Sequence, residues 1–399
     1  MPESLATAVR QGSGPAPDTR VLPGYRGAEA VWAEVLAGDR AATFFASHGW
    51  QSAWWRHYGR GRRLLLVLVS RAGRPAGIGP FMVGRSFGGT VVRFVGTGAS
   101  DYHDLLVNER IASRREVVFA ALDAVRGRFP AAVLDLEQVP ERSGTVGLLA
   151  EWAATRDYEL RRRPQEVCPY QRLPADLATL DAGLSQSTRR QDRKNLQALR
   201  RLGQVRLVAS GLEREGMAGI VGSMAEIERA HPAARRRVNS WQGRHAAFLA
   251  DVLAAAAAGG QLWLSGLSVG GTLVAYSVAF QQNNVLYGYL QGYRREYAQY
   301  GPGTLLLLHL QREAVRRGIH TLDYLRGAEA HKVRWQTGAE LNHRLLLRPF
   351  AAGPVGWLAG LAHLAGTGWR DTLRDVPGLR RARDQARELW ARGRLGRPG

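Results

Sequence analysis

Three apolar runs with short turns between them lie in the second half of the chain: QLWLSGLSV (261–269), GTLVAYSVAFQ (271–281) and NVLYGYLQGY (284–293). A helix-like stretch follows, then one more strand, HTLDYLR (320–326), and a last one, AELNHRLLLR (339–348). Strand, strand, strand, helix, strand describes a mixed sheet with one crossover helix, whereas a doubly wound sheet alternates strand and helix throughout. Two helices, GMAGIVGSMAEIERAH and RHAAFLADVLAAAAAGG, precede this meander. A looser copy of the same order occupies the first half: helices at 29–37 and 44–59, strands within 64–85 and 91–107, the helix REVVFAALDAVRGRF and the strand AAVLDLEQV. The pattern predicts an α/β fold with mixed sheets, built as two similar domains in tandem.

We place the domains at 29–172 and 173–350. A Gly-, Pro- and Ser-rich segment at 1–28 is expected to be disordered, and a basic helical tail occupies 351–399. The tail's GWLAGLAHLAG has an apolar side that docks on the second domain or, alternatively, touches a membrane surface. The 399 residues at 45% hydrophobic composition supply enough apolar material for two cores. There is no uninterrupted apolar run of membrane-spanning length and no secretory h-region. The single cysteine, Cys168, stands beside a proline in a linker-like segment and excludes an intramolecular disulfide. A cytoplasmic location is expected. The formal charge of +21 is almost all arginine and follows from an Arg-, Ala- and Gly-rich composition. Lys194 and Lys332 are the two lysines, and each either supplies a compact charge that arginine does not or is there by chance.

QYGPGTLLLLHLQREAVRRG (299–318) opens a helix on Gly301-Pro302-Gly303-Thr304. The first amides of a helix lack intrahelical partners and, with the helix dipole, attract an anion. Gly301 and Gly303 let a phosphate approach the backbone, Pro302 loses little by lacking an N–H there, and Thr304 offers a hydroxyl. Arg294 and Arg295 follow the preceding strand. The stretch is neither a P-loop nor GxGxxG, which argues against nucleotide hydrolysis and against a dinucleotide fold.

Around this turn the chain resembles the GCN5-related N-acetyltransferase (GNAT) superfamily, in its CelD-like branch, which is related to the Fem-type peptidoglycan aminoacyl transferases. The matching residues are Tyr300, Pro302, Gly303 and Thr304, then Asp323, Leu325, Arg326, Gly327, Glu329, Lys332, Arg334 and Trp335. In the first half they are Phe44, Trp50, Trp54, Trp55, Gly96 and the Asp101-Tyr102-His103-Asp104 turn. The likeness covers roughly 40–350. His331 departs from it, since the family more often has an aromatic before the lysine. The resemblance implies tandem GNAT-like domains with acetyl-CoA or another acyl-CoA as co-substrate in the second. The pyrophosphate then lies on the 299–304 backbone, and the thioester against the strand ending at Tyr289–Gly292. This makes Gly292, Tyr293, Arg294, Arg295, Tyr300, Gly301, Gly303 and Thr304 the cofactor-binding set. It also draws His231 and Trp241 into the acceptor cleft.

Acyl transfer from a thioester to an amine needs a neutral amine, a polarised carbonyl and a route for protons. We expect Asp323, Tyr324, Glu329 and Lys332 to carry catalysis, with Arg326 and Trp335 beside His231 and Trp241 at the acceptor. A salt-bridge network of Asp323, Glu329, Arg326 and Lys332 is the competing reading. Tyr297 and Tyr300 are alternative acids. Asp101–Asp104 is read as a solvated turn rather than a metal or acid/base cluster, and no metal site is expected. The function expected is N-acyl transfer to an amine of a small molecule or glycan, in envelope or exopolysaccharide metabolism. The alternatives are a Fem-like aminoacyl-tRNA-dependent transferase, suggested by the basic helix at 184–203, and a non-catalytic binding protein on the same fold.

Overall fold

The computed structural model describes residues 16–86, 89–230, 241–327 and 329–350. In the first half the elements run β1 (Asp18–Leu22), α1 (Glu29–Gly38), α2 (His48–Tyr58), β2 (Arg63–Arg71), β3 (Arg74–Ser86), β4 (Gly89–Phe94), β5 (Leu106–Val107), α3 (Arg114–Arg128), β6 (Val133–Pro140), α4 (Thr145–Thr155) and β7 (Tyr158–Arg172). Two connecting helices follow, α5 (Leu177–Gly183) and α6 (Gln186–Leu202). The second half then runs β8 (Val205–Val208), α7 (Met217–Arg229), α8 (Gly243–Ala258), β9 (Leu262–Val269), β10 (Thr272–Gln282), β11 (Val285–Tyr293), α9 (Pro302–Arg316), β12 (Thr321–Asp323), α10 (Ala330–Val333) and β13 (Gly338–Pro349). Setting β5, α5 and α6 aside, the halves match element for element, as the meander pattern predicts.

One sheet runs through both halves in the order β1-β2-β3-β4-β6-β13-β7-β12-β11-β10-β9-β8. The order is symmetric about its centre, and the final strand of each half is exchanged. β13 lies beside β6 of the first half, and β7 lies beside β12 of the second. β7 and β13 pair with each other from Gly338↔Tyr170 to Pro349↔Tyr158. Each half contributes one parallel pair, β4 with β6 and β11 with β12.

Helices cover both faces. α1, α2, α7 and α8 share one apolar cluster that spans the halves, containing Trp32, Trp50, Phe248 and Phe280. Across the join Phe44 stacks on Phe280 at 4.1 Å and Trp50 meets Phe248 edge-on at 5.1 Å, and such pairs add to simple burial. The Asn283 amide at the β10–β11 turn donates to the carbonyls of Asp39 and Ala42. On the opposite face α3 and α4 cover the first half, while α5 and α9 cover the second.

Two expectations need correction. Residues 18–28, expected to be disordered, are ordered: β1 pairs with β2, and Tyr25 is buried against Trp32, its carbonyl accepting from His48 Nε2. Edge pairing supplies order that local composition does not announce. Cys168 lies in a long central strand rather than a linker; its Pro164 sits at a register irregularity, where a missing N–H is tolerated. Residues 1–15, His231 and the tail at 351–399 lie outside the described residues.

Candidate active site

The site begins where β11 and β12 part. They pair only over Val285–Tyr287 and Thr321–Asp323; β12 stops there, and β11 runs on to Tyr293. A register irregularity against β10 leaves Tyr289 as a bulge, a feature that re-aims side chains beside functional sites. The result is a split between two strands, with Asp323 at its closed end.

α9 starts beside this split. Gly301 adopts the left-handed conformation at φ 55°, ψ 47°, Pro302 takes the first helical position, and no side chain caps the start. A Cβ at Gly301 would stand 3.0 Å from the Asn195 amide of α6, and one at Gly303 would stand 3.8 Å from the Tyr293 ring. Gly301, Gly303 and Thr304 are half-buried, so packed side chains do not seal this corner. The segment Arg295–Tyr300 between β11 and α9 is 3₁₀ helix. Arg294 is tethered to the Leu273 carbonyl and to Glu226, while Arg295 is exposed. Tyr300 packs against the apolar cluster that contains Leu305 and Leu306, and Gly292 leaves room for the Tyr276 ring, 2.7 Å from where a Cβ would be.

Asp323 is fully buried. It accepts from Tyr102 Oη at 2.8 Å and from the Leu325 amide at 2.8 Å, and Arg142 Nη1 stands 3.8 Å away. Burial pushes its carboxyl up to about 6, against the opposing pull of Arg142 and of these hydrogen bonds. Arg142 also lies over the Tyr102 ring at 5.0 Å. Next to this group Arg326 Nε donates to Asp101 at 2.7 Å, and the Asp101 carbonyl accepts from Asn342 at 2.8 Å. Burial holds the Tyr287 and Tyr289 hydroxyls neutral by raising both pKa values. The second half thus supplies the split and the base-like carboxylate. The first half supplies Asp101, Tyr102 and Arg142 as the facing wall. The buried carboxylate is thus poised between its charged and neutral forms near neutral pH.

The expected residues fall into separate groups. Asp323 and Arg326 stand together at the split. Tyr324, next along the strand, points to the opposite face, where its hydroxyl donates to Gln171 at 2.7 Å within the α9 cluster. Trp335 packs against that same cluster. Lys332 pairs with Glu329 at 2.9 Å and donates to the Arg326 carbonyl, so it braces the turn. Trp241 is buried and its Nε1 reaches toward Tyr276 at 3.5 Å. The Asp101–Asp104 turn is not solvated: Tyr102 and His103 are buried because the chain folds back there against β6. Tyr102, Arg142 and Asn342 are the residues that sequence reading missed as parts of a site. A recess lined by Asp39, Thr43, His103 and Asp104 lies behind Tyr102. Its buried Asp39 is fully engaged by Arg114 and the amides of Ala41, Ala42 and Val107. Among the described residues no group of three or more His, Cys, Asp or Glu has metal-site geometry, and no helix is long and apolar enough to cross a membrane.

Comparison with known proteins agrees with this architecture. Residues 186–333 match the family model of the acetyltransferase (GNAT) domain. The whole fold is similar to the solved structure of FemX, at 12% identity and a TM-score of 0.59, over 86% of this chain and 100% of that one. A conserved protein of unknown function from Bacteroides thetaiotaomicron gives a TM-score of 0.54 at 11% identity, over 81% of this chain and 97% of that one. A C-terminal domain assigned to a lysylphosphatidylglycerol synthetase of Agrobacterium fabrum gives 0.51 at 12% identity, over 88% and 97%. No curated protein matches the chain in sequence. The fold is therefore an α/β arrangement of tandem GNAT-like units, an acyltransferase fold.

Proposed function

We propose that the protein is an N-acyltransferase that moves an acyl group, most simply acetyl, from an acyl-CoA to the amine of a small molecule or sugar. The observation that carries this reading is the uncapped, half-exposed Gly301–Thr304 start of α9 beside the β11–β12 split. The amides of Gly301, Thr304 and Leu305 donate to the Ala298 and Gly301 carbonyls, so the Gly303 amide and the helix dipole are what suit the donor's diphosphate, with Tyr293 and Asn195 as side walls. The thioester then runs along β11 toward Tyr289, where strand amides freed by the bulge can polarise its carbonyl. Asp323 accepts the amine proton, directly or through Tyr102, and Arg142 stabilises the carboxylate between turnovers. Attack by the amine nitrogen forms the C–N bond, the C–S bond breaks, and CoA leaves as a thiol after taking up a proton. Lys332 and Glu329 act as positioning residues for the 323–329 turn. The 300–335 residue pattern supports placement in the CelD-like branch and an acceptor from envelope or exopolysaccharide metabolism.

Calorimetric titration with acetyl-CoA and with CoA tests this reading directly. Micromolar binding at one site per chain is expected, and no binding by either overturns it. A second reading rests on the exposed basic face of α6, Arg190, Arg193, Lys194 and Arg201, which suits a charged tRNA as acyl donor. Salt-sensitive retention of aminoacyl-tRNA together with silence toward acetyl-CoA would select it.

A further inference from the structure

The turn after β12 spends structure on the orientation of one guanidinium. Leu325, a buried non-glycine residue, is held at φ 61°, a conformation that costs free energy and persists only where its surroundings enforce it. The Asp323 carboxylate fixes the Leu325 amide, and Lys332 fixes the Arg326 carbonyl. The Arg326 plane is then set by Nε–H donating to Asp101 at 2.7 Å, and Asp101 is itself anchored through its carbonyl by Asn342. Among the described residues, Nη1 and Nη2 of Arg326 have no hydrogen-bond acceptor, although the side chain is only 30% exposed. Glu166 contributes negative potential nearby but makes no ion pair with Arg326. The fork is beside the split, since its partner Asp101 adjoins Tyr102, whose hydroxyl donates to Asp323.

A guanidinium locked at Nε, with its outer nitrogens open, presents two parallel N–H groups, the geometry that grips a carboxylate or phosphate. We propose that Arg326 selects acceptors that carry an oxyanion, carboxylate or phosphate, on the same small molecule as the reacting amine. This rests on the acyltransferase reading and narrows its substrate class. A site built to pair such a group discriminates strongly against the analogue lacking it, because the fork would then stay unpaired in a partly dry cleft.

The test uses the full-length protein with acetyl-CoA and matched acceptors: L-lysine against cadaverine, β-alanine against ethylamine, and O-phosphoethanolamine against ethanolamine. Wild type is expected to favour the oxyanion member of at least one pair by about 100-fold in kcat/KM. The first two pairs report a carboxylate and the third a phosphate. Arg326→Gln should collapse that preference through KM, and Arg326→Lys should restore part of it. Acetyl-CoA binding, followed by calorimetry, should stay within about twofold of wild type in both variants. Equal use of charged and uncharged acceptors, loss of all acceptors through kcat in Arg326→Gln, or silence of every oxyanion acceptor while acetyl-CoA binds would overturn the proposal. Failure of acetyl-CoA to bind wild type would instead remove the acyltransferase reading beneath it.

Discussion

α3 and α9 occupy the same position in their respective halves, each following a meander and preceding the strand that joins it in parallel, yet their first turns are opposites. α3 is capped by a reciprocal box: Ser113 Oγ accepts from the Glu116 amide, and the Glu116 carboxylate accepts from the Ser113 amide at 2.9 Å and from its hydroxyl at 2.7 Å. Arg71 pairs with the same carboxylate at 2.9 Å. The helix start therefore already holds an anion of its own. α9 has Gly301 where α3 has Ser113, and Thr304 where α3 has Glu116, so its start carries neither a side-chain cap nor a resident charge. The strands differ in the same sense. After β4 the chain folds back, and His103 donates from its backbone N and its Nδ1 to the carbonyls of Gln138 and Glu137 on β6, closing that crevice. After β11 the chain leaves at once for α9 and the crevice stays open. On the proposed function, one unit serves as a wall and the other carries the site.

The sharpest way to break this contrast is to give α9 the charge that α3 has. Thr304→Glu places a carboxylate at the third helical position, where the dipole favours it. Acetyl-CoA affinity should fall at least about 100-fold by calorimetry, because two anions would meet at one helix terminus and repel. The melting temperature should hold or rise slightly. Binding that survives this substitution would show that the α9 start is not the diphosphate seat.

Asp323 gives the next largest effect. Asp323→Asn should cut kcat/KM about 100-fold, the usual range for losing a general base. Its carboxyl is raised from 3.8 to about 6 in the fold. The unfolded chain therefore ionises it at lower pH than the native state does, so this group favours folding below pH 4 and loses that contribution as pH rises through 6. Asp323→Asn should melt a few degrees above wild type at pH 8 and converge with it near pH 4. The kcat/KM profile of wild type should show an acidic limb near pH 6. Tyr102→Phe then removes a hydrogen bond that lowers this pKa, and the limb should move to higher pH while turnover at pH 8 falls less than tenfold. A limb that stays in place would detach Tyr102 from the chemistry.

What could be read before folding divides along the same line. Meander, crossover helix and uncapped Gly-Pro-Gly start are local features, so periodicity and turn chemistry disclose them. The nearness of Asp323 and Arg326 was legible because they belong to one short stretch. The exchange of β7 and β13 was not, since pairing between strands so far apart in the chain leaves no local mark. Tyr102 and Arg142 acquire their meaning only when the first half is laid against the second, and the polar look of Asp101–Asp104 concealed a buried turn. Tyr324 is different: a strand alternates its faces, so the residue after Asp323 had to point away from it, and that rule was available in the sequence.

The smallest effect is the reverse exchange. Glu116→Gln removes the resident charge at α3 but keeps a side chain able to accept from Ser113. The cap and the Arg71 pair are partly exposed, so the loss should be about 0.5–1 kcal/mol, or a few degrees in melting temperature. If the capping carboxylate were all that silenced the first half, this variant would bind a second acetyl-CoA. We expect the stoichiometry to remain one per chain. His103, stacked on Phe94 at 5.7 Å and pushed down to about 4 by burial, stays neutral and keeps Nδ1 on the β6 carbonyl, so the crevice beside β4 remains closed. A stoichiometry of two would show that charge alone separates the halves and that the folded-back chain gives way to a ligand.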